Sequence, residues 1–523
     1  MHPFLFVAFP VLSLYAKNIS ELLPIVMLWP ITILMVIVSF CYLVIVYLVR
    51  VNKQKAALSL SLIILSIFSY GHFYGSIFYL LSKNTQINIY FLQTSKIIFT
   101  VYIFIVLCCM FMVIKGKKII ASLTLLANVI SVFLILFSVI QIIVFDFQRL
   151  QVRNIKIDGE SIFDGEFAKT NHKLLERPDI YYFIFDRYAG FDVLKKYFSY
   201  DNSTFKNFLV DKGFYVTDQA QSNYPKTFLS LASSLNMEHL DYLAKQLGPN
   251  FKDQTFLYEK IRNFKALQFL KLYGYRFINI SSGWLPTRIN TNADLNIIYR
   301  SRRFDEFSQM LLKTTLAYPF TQKFFKSSSP QGAGKRERML YKIDELVKIA
   351  ETPGPKFVFS HFLLPHPPYV FGPNGEEVTA DDLDRRSEKE NYLRQLEYTS
   401  KQIMKLVENI LSKSKSPPII ILQSDEGPFI DEEFNGGVGD NMDWTKLSDK
   451  ALQTHMGILN AYFLPQVKKD ELPSLITPVN TFRLIFNRYF GTTLPFLEDK
   501  SYIIRDTDHP YVFIDVTDRL KLR

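Results

Sequence analysis

The 523-residue sequence has only three cysteines, and their positions exclude several kinds of site. Cys41, Cys108 and Cys109 all fall in long apolar runs near the N-terminus. From residue 150 onward the chain has no thiol, which excludes cysteine nucleophiles, zinc–thiolate sites and iron–sulfur clusters there. We therefore expect any chemistry in the larger C-terminal part to use oxygen and nitrogen side chains.

Acidic residues are almost absent from residues 1–150, where Glu21 and Asp146 are the only two. The same region has ten Lys and Arg residues, so it contributes +8 of the total formal charge of +11. The larger remainder contributes only +3. The basic composition is therefore concentrated near apolar segments, and we expect no nucleic-acid partner.

Five apolar runs occupy this N-terminal region, near residues 4–16, 23–49, 57–81, 97–114 and 119–145. The last four are about 18 to 27 residues long, enough to cross a hydrocarbon core of about 30 Å as helices. The first run resembles a signal peptide in length, but no Ala-x-Ala-like cleavage site follows it. We predict a transmembrane domain of five helices over residues 1–148.

Basic residues in the loops predict the orientation of these spans. Two loops, after the second and fourth spans, are rich in Lys and Arg: Arg50, Lys53 and Lys55, and Lys115, Lys117 and Lys118. The positive-inside rule places both loops in the cytoplasm. With five spans, the N-terminus is then cytoplasmic and the rest of the chain lies outside.

After a predicted linker at 149–177, an extracytoplasmic domain over 178–523 shows mixed α/β patterning. Short runs rich in Ile, Val, Phe and Tyr predict strands at 178–186, 275–280, 356–361, 418–424 and 460–464. Apolar residues at helical spacing predict a helix over 387–412. Because this helix joins two apolar strands, we expect a right-handed crossover between parallel neighbours.

Four of these strand regions lead into, or follow, a polar residue that can do chemistry. The residues concerned are Asp186, His361 with His366, Asp425 with Glu426, and His455 just before the last strand. A single acid at a strand end is usually a cap or loop residue, but the carboxyl ends of sheet strands are also where α/β proteins collect their chemistry. Clustered carboxylates need a cation between them, and Asp186, Asp425 and Glu426 offer the hard oxygen ligands of a divalent metal.

The segment SNYPKTFLSLASSLNM, residues 222–237, offers a nucleophile for such a metal site. Thr227 follows a proline turn and starts an apolar helical run, so it is either a plain helix cap or a hydroxyl activated by a metal. A helix N-terminus also favours the anion of an attacked phosphate. Ser230, Ser233 and Ser234 are fallback candidates inside the helix.

These motifs resemble a known family. PDIYYFIFDRYA, SNYPKTFLSLASSLNM, FSHFLLPHPPYVF, QSDEGP and NTFRLIFNRYFGTTLP, in this order behind five spans, resemble the sulfatase-like branch of the alkaline phosphatase superfamily. The architecture is similar to that of lipoteichoic acid synthases and phosphoethanolamine transferases. The resemblance implies a central sheet flanked by helices, a divalent metal and a covalent phospho-threonine intermediate.

By motif, the resemblance implies a metal shell of Asp186, Thr227, Asp425 and Glu426, with Thr227 as the catalytic nucleophile. It implies that His361, and also His366 and His455, contact the substrate phosphate or the leaving group. The chain departs from the family at Glu426, where a His is common. An all-oxygen shell favours manganese or magnesium over zinc.

Three further residues are candidates for substrate binding. Arg187 stands where a small residue is expected, and it either binds an anionic substrate or pairs with a neighbouring acid. Trp284 and Arg288, in SSGWLPTR, either line the entrance to the site or belong to a loop packed by its own Trp.

Taken together, these patterns predict a multi-pass protein of the bacterial cytoplasmic membrane with a periplasmic or extracellular catalytic domain. It would transfer a phospho-alcohol group, phosphoglycerol or phosphoethanolamine, from a phospholipid to an envelope glycan or lipid-linked acceptor. Two alternatives stay open: a phosphodiesterase or sulfatase-like hydrolase of the same fold, and a catalytically silent scaffold in envelope assembly.

Overall fold

The computed structural model describes residues 1–82, 91–116, 119–153, 177–299, 306–317, 334–430, 442–473 and 475–521. Most of the predicted linker at 149–177 lies outside these residues, as do Lys117 and Lys118 of the fourth loop. The chain divides into two compact units. The first comprises Met1–Ile155 and Arg303–Lys326, and the second comprises Lys156–Arg302 and Ser327–Arg523.

The first unit contains the N-terminal helices. They are α1 (His2–Lys17), α2 (Ile25–Leu43, extended by a π-helical turn Val44–Leu48), α3 (Lys53–Ser82), α4 (Phe91–Lys115) and α5 (Ile120–Arg153). The segments Ile25–Leu48, Lys53–Tyr74, Ile97–Lys115 and Ile120–Leu150 are long and apolar enough to cross a membrane. Helix α1, with 16 residues, is shorter. Five apolar N-terminal helices are thus confirmed, four of them with the length of a span.

A segment distant in sequence completes the first unit. Helix α13 (Glu306–Lys313) packs Phe307 and Leu311 against Val11, Tyr15 and Ile19, on or just after α1. The Thr314 carbonyl accepts from the backbone N–H of Gly71 in α3 at 3.0 Å, and the Leu316 N–H donates to the Ile67 carbonyl at 2.7 Å. Residues 306–317 are therefore joined to the helices by both apolar packing and backbone hydrogen bonds.

The second unit is an α/β domain. Its strands are β1 (Ile180–Phe185), β2 (Tyr215–Val216), β3 (Arg276–Ile280), β4 (Leu295–Ile297), β5 (Lys356–Phe362), β6 (Ile419–Gln423), β7 (Asn460–Phe463), β8 (Tyr502–Ile504) and β9 (Phe513–Asp515). Its helices before β5 are α6 (Phe191–Phe198), α7 (Ser203–Asp211), α8 (Thr227–Asn236), α9 (Tyr242–Leu247), α10 (Thr255–Arg262), α11 (Lys265–Leu272), α12 (Leu285–Arg288) and α14 (Lys335–Ala350). Those after β5 are α15 (Ala380–Asp384), α16 (Glu388–Lys413), α17 (Asp449–Met456) and α18 (Thr481–Tyr489). Short 3-10 turns occur at Trp444–Lys446, Lys469–Glu471, Pro478–Asn480 and Thr517–Leu520.

A seven-stranded mixed sheet organises this domain, with the strand order β2-β7-β6-β1-β5-β3-β4. Strands β6, β1, β5, β3 and β4 are parallel, whereas β7 runs antiparallel to β6 and β2 antiparallel to β7. Strand β1, with the sequence IYYFIF, is buried along its whole length. A continuous apolar run is what a parallel strand covered on both faces requires. The predicted α/β class is confirmed, and all five predicted strands are present.

Helix α16 corresponds to the predicted helix at 387–412. A reciprocal capping box between Ser387 and Glu390 starts it, and its buried stripe includes Leu396, Ile403 and Ile410. The predicted adjacency of its flanking strands is wrong. Strands β5 and β6 are parallel, but β1 lies between them and pairs with both. Strand β1 thus takes the central position, with β5 and β6 on either side.

Candidate metal centre and active site

The carboxyl edge of the sheet gathers three predicted site residues. Asp186 directly follows β1, and its backbone N–H donates to the Phe362 carbonyl at 2.9 Å, which continues the ladder with β5. His361 lies at the carboxyl end of β5, in register with Ile184. Asp425 follows the end of β6 by two residues. Since all three strands are parallel, these side chains meet at one edge.

Asp186, His361 and Asp425 form a group that could hold a metal ion. One ligand atom from each side chain lies within 4.8 Å of the other two, and all three residues are buried. His361 Nε2 is 3.7 Å from the nearer Asp186 oxygen, which is too long for a hydrogen bond. The predicted Asp186 and Asp425 thus lie together, and the imidazole predicted to contact substrate lies with them.

Buried polar atoms without partners mark the same place. Asp186 Oδ1, His361 Nε2, both oxygens of Asp425 and Glu426 Oε2 are fully buried and receive no hydrogen bond from the described residues. Leaving such atoms unpaired costs about 1–3 kcal/mol each, and more for charged groups. Carboxylate oxygens and an imidazole nitrogen are common ligands of divalent cations, so the residues present fit a metal ion.

The carboxylates also have raised pKa values, because burial disfavours their charged forms. Burial raises the pKa of Asp186 to about 6, although Arg187 and Lys335 oppose the shift. Burial and the neighbouring Asp186 raise the pKa of Asp425 to about 7. Burial raises the pKa of Glu426 to about 8 against the effect of Arg187. A cation placed among these groups would restore their charged forms.

The Glu426 side chain pairs with a cation and does not join Asp425 in the group of three. Its Oε1 lies 3.4 Å from Arg187 Nε in a buried ion pair, and it is not among the three converging residues. The Arg187 guanidinium also lies over the Phe429 ring at 4.5 Å. Arg187 therefore pairs with a neighbouring acid, and its binding of an anionic substrate stays a prediction.

Arg187 has a backbone conformation that non-glycine residues rarely adopt. Its φ is 64°, in the left-handed region, and its carbonyl accepts a hydrogen bond from the Tyr392 hydroxyl at 2.9 Å. Such conformations cost on the order of 1–3 kcal/mol and persist where the surroundings enforce them, often at functional sites. The turn after Asp186 is thus strained directly beside the candidate metal centre.

Thr227 is the first residue of α8 and is half-buried. Its hydroxyl lies near the Asp425 carboxylate and favours the charged form of that group, although neither Asp425 oxygen receives a well-aligned hydrogen bond from the described residues. The serines named as fallbacks are less available. Ser230 and Ser233 donate to the carbonyls of Tyr224 and Glu238, at 2.8 and 2.6 Å.

His366 and His455 lie close to the cluster but have local partners. The His366 N–H donates to the Asp186 carbonyl at 3.1 Å, and its ring Nδ1 contacts the Pro367 carbonyl. His455 is fully buried, and its Nε2 lies 2.9 Å from the Pro225 carbonyl, two residues before Thr227. Because β7 is antiparallel to β6, the residues preceding β7 lie at the carboxyl edge of β6. His455 therefore supports the loop that carries Thr227.

Trp284 and Arg288 belong to the turn at α12. The Trp284 ring meets the His361 ring edge-on, with centroids 5.7 Å apart, and also packs on Tyr258. Trp284 thus packs its own loop against the candidate metal centre. Arg288 is half-buried at the end of α12, and no hydrogen bond or ion pair within the described chain joins it to the cluster.

Two buried lysines near the site were not predicted. Lys335 and Lys342 lie seven residues apart on α14. Lys335 Nζ donates to the carbonyls of His366 and Pro368, and Lys342 Nζ donates to the His361 carbonyl at 2.5 Å. Burial lowers the pKa of Lys335 to about 7 and that of Lys342 well below its ordinary value. Their helical spacing with the buried Met339 and Leu346 is a signal that could have found them.

Comparison with known proteins gives one family match. A protein-family model described as sulfatase matches residues 267–456, which include His361, Asp425 and His455 but begin after Asp186 and Thr227. No curated protein matches the chain.

Several solved structures are similar in fold. One is the C-terminal periplasmic domain of EcEptC from Escherichia coli, with 12% identity over 66% of this chain and 94% of that one and a TM-score of 0.41. The corresponding domain of phosphoethanolamine transferase EptC from Campylobacter jejuni has 12% identity, 64% and 95% coverage and a TM-score of 0.38. The soluble domain of lipooligosaccharide phosphoethanolamine transferase A from Neisseria meningitidis has 10% identity, 59% and 86% coverage and a TM-score of 0.38.

At these TM-scores the likeness carries no argument about the activity of this chain. A sulfatase family model thus matches residues 267–456, behind a set of apolar helices, in agreement with the resemblance predicted from the motifs.

Proposed function

We propose that this protein is a metal-dependent phosphotransferase of the bacterial cytoplasmic membrane, with its catalytic domain outside. The observation that carries the proposal is the position of the Thr227 hydroxyl beside Asp425, at a cluster of buried carboxylate oxygens without hydrogen-bond partners among the described residues. A hydroxyl in that position is a nucleophile next to the place where a divalent cation fits. The proposed domains are residues 1–148, a linker at 149–177 and the catalytic domain at 178–523.

Asp186, Asp425 and His361 would hold the metal, with Thr227 and Glu426 next to it. When bound, such a cation lowers the pKa of a coordinated hydroxyl and stabilises charge on phosphate oxygens. We propose manganese or magnesium, because carboxylate oxygens predominate in the set.

Thr227 would act in two half-reactions. Its Oγ forms a bond to the phosphorus of a phospholipid, the bond from phosphorus to the diacylglycerol oxygen breaks, and the hydroxyl proton ends on that departing oxygen. In the second half, an acceptor hydroxyl oxygen forms a bond to the same phosphorus, the bond from phosphorus to Thr227 Oγ breaks, and the proton of the acceptor hydroxyl ends on Thr227 Oγ. The group transferred would be phosphoglycerol or phosphoethanolamine, and the acceptor an envelope glycan or a lipid-linked hydroxyl.

The helices of the first unit support a lipid donor. Anchoring a catalytic domain in the membrane raises the effective concentration of lipid head groups at its site. The sulfatase match is compatible with a hydrolase as well, in which water replaces the acceptor. The same experiment distinguishes the two.

The test is to incubate the full-length protein in nanodiscs with labelled phosphatidylglycerol or phosphatidylethanolamine and to search for a modified Thr227 peptide by mass spectrometry. We expect a phosphoglycerol or phosphoethanolamine adduct in the wild type and none in Thr227→Ala, while Thr399→Val, a buried threonine elsewhere, retains the adduct. Release of label to water alone would indicate the hydrolase. An adduct on Ser230 would refute Thr227 as nucleophile, and no bound metal together with no adduct would favour a silent scaffold.

A further inference from the structure

His361 is fixed from several sides, with one ring nitrogen left facing the carboxylates. Its Nδ1 lies 3.1 Å from Thr287 Oγ1, and its carbonyl accepts from Lys342 Nζ at 2.5 Å. The Trp284 ring packs edge-on against the imidazole. The other ring nitrogen, Nε2, has no hydrogen-bond partner in the described part of the chain and lies 3.7 Å from the Asp186 carboxylate.

The loop that carries Thr287 contains a short chain of hydroxyl hydrogen bonds. Thr287 Oγ1 lies 2.6 Å from Ser282 Oγ, and Ser282 Oγ donates to the Trp284 carbonyl at 3.1 Å. Ser282 Oγ also accepts from the Trp284 backbone N–H at 3.0 Å. Ser282 and Thr287 are both buried, so no bulk water competes for these hydrogen bonds.

The number of hydrogens decides the direction of this chain. A hydroxyl has one hydrogen to donate and two lone pairs to accept with. When Ser282 donates its single hydrogen to the Trp284 carbonyl, which also accepts from the Thr287 backbone N–H at 3.2 Å, it has none left for Thr287. Ser282 must then accept from Thr287. Thr287 has no hydrogen left for His361, and it must accept from the imidazole Nδ1–H.

The same counting leaves the lone pair of the neutral ring on Nε2. A neutral imidazole with its hydrogen on Nδ1 has an acceptor nitrogen at Nε2, and that nitrogen faces Asp186 and Asp425. Metal-binding histidines are generally oriented by a hydrogen bond from their other ring nitrogen.

We propose that Thr287, backed by Ser282, is a positioning residue that keeps the His361 proton on Nδ1 and so presents Nε2 to a divalent cation. The part of this inference that concerns the cation rests on the proposed function, but the part that concerns the tautomer does not. Hydrogen bonds through the hydroxyls of Ser282 and Thr287 thus determine which nitrogen of His361 is free to bind a metal.

The tautomer can be measured in full-length protein labelled with ¹⁵N-histidine and freed of metal. The His361 resonances are assigned by their loss in His361→Gln. We expect the wild-type ring to be protonated at Nδ1. Thr287→Val removes the acceptor and should mix the tautomers, whereas Thr287→Ser should retain the wild-type pattern.

Ser282→Ala gives a sharper result, because it does not touch His361. Without Ser282 as acceptor, the Thr287 hydroxyl is free to donate to Nδ1, and the proton should move toward Nε2. A role of Thr287 in packing alone would not produce this change. Thr399→Val is the matched control, since Thr399 donates its buried hydroxyl to the Gln395 carbonyl away from the cluster.

Mn²⁺ binding, titrated on the same proteins, provides the second readout. Loss of an outer-shell partner generally weakens metal binding by about 10–100-fold, and we expect this for Thr287→Val and Ser282→Ala but not for Thr287→Ser or Thr399→Val. A wild-type His361 protonated at Nε2 overturns the inference whatever the activity. A wild type that binds no Mn²⁺ but shows the Nδ1–H ring removes the proposed function and leaves the role of Thr287 in the tautomer intact.

Discussion

Asp186 and His361 face each other from the ends of two adjacent parallel strands, with His361 Nε2 3.7 Å from an Asp186 carboxylate oxygen. The gap is too long for a hydrogen bond, and both side chains are buried. Two buried groups held this close without bonding are suited to sharing an ion. Asp425, from the strand on the other side of β1, completes the arrangement.

Asp425→Asn should remove most of the metal affinity. The substitution keeps the shape of the side chain but removes its charge and one lone-pair-bearing oxygen from the cluster. We expect Mn²⁺ binding, measured by calorimetry, to weaken by more than the ~10–100-fold typical of an outer-shell partner. Asp449→Asn makes the same change at an exposed aspartate paired with Arg519 and should leave binding unchanged. Equal binding by the wild type and Asp425→Asn would contradict a metal site here.

The metal-free site should make stability fall as pH rises. The pKa values of Asp186, Asp425 and Glu426 are about 6, 7 and 8, above the ordinary values of 3.8 for Asp and 4.5 for Glu. Between those limits the folded state binds protons that the unfolded state has released, so the site favours folding at low pH and loses that contribution as pH rises through the folded values.

The measurement is the thermal unfolding of metal-free protein at about pH 5.5 and about pH 8, in the wild type and in Asp425→Asn. Other groups titrate in this range, including Lys335, so the informative quantity is the difference between the two proteins. We expect the wild type to lose more stability toward pH 8 than the variant does, and bound Mn²⁺ to abolish that loss. If the variant lost more stability than the wild type, the carboxylates would be charged in the folded protein, with that charge already stabilised by other groups.

Asp186 and Asp425 could be placed from sequence because each follows an apolar strand, and parallel strands bring their carboxyl ends to one edge. The proposed ligand role of His361 could not be predicted in the same way. Its Nδ1 contacts Thr287 Oγ1, which lies 74 residues earlier in the chain, and in our proposal this contact leaves Nε2 free. No local pattern encodes that contact.

The buried lysines were missed for a different reason. Lys335 and Lys342 lie in a stretch dense in charge, which is typical of a solvated helix face. In the fold, each ammonium reaches backbone carbonyls at the end of β5 or in the loop after it. The order of the sheet was also beyond local pattern, since β1, β5 and β6 are all buried along their whole length and burial alone does not say which of them is central.

Glu426→His should shift metal preference toward zinc. It introduces an imidazole, a common zinc ligand, next to Asp425 and removes a carboxylate that suits manganese or magnesium. We expect the ratio of Zn²⁺ to Mn²⁺ affinity to rise about tenfold or more, equivalent to about 1.4 kcal/mol. Glu426→Gln is the control for losing the ion pair with Arg187, and it should not raise Zn²⁺ affinity. An unchanged ratio in Glu426→His would place residue 426 outside the metal's reach.

His455→Leu should slow transfer without weakening metal binding. The imidazole holds the Pro225 carbonyl at 2.9 Å and packs on Phe429 with ring centroids 4.0 Å apart. Losing the hydrogen bond leaves a buried carbonyl unpaired, at about 1–3 kcal/mol, and loosens the loop that positions Thr227. The formation rate of the Thr227 adduct and the Mn²⁺ affinity would be measured together. His239→Leu removes a similar contact, to the Glu498 carbonyl, and should leave both unchanged. A parallel loss of metal affinity in His455→Leu would point to a wider collapse of the site.

Gly71→Ala should detach residues 306–317 from the helices of the first unit. A β-carbon at Gly71 would lie 2.5 Å from the Lys313 carbonyl oxygen and 2.7 Å from the Thr314 α-carbon, closer than atoms can approach. The backbone hydrogen bond from Gly71 to Thr314 would therefore be lost or displaced. Overpacking of this kind costs typically about 1–3 kcal/mol, so we expect the segment to separate while the helices remain folded.

The readout is maleimide labelling of Leu311→Cys, whose side chain is buried against α1, in a protein whose three natural cysteines are replaced by serine. Labelling should be slow when Gly71 is retained and fast when Gly71→Ala is added, because only separation of the segment exposes the thiol. Ser69→Ala, at an exposed position on the same helix, is the control and should label slowly. If Gly71→Ala labels as slowly as the control, the tight approach at Gly71 is not what holds this segment.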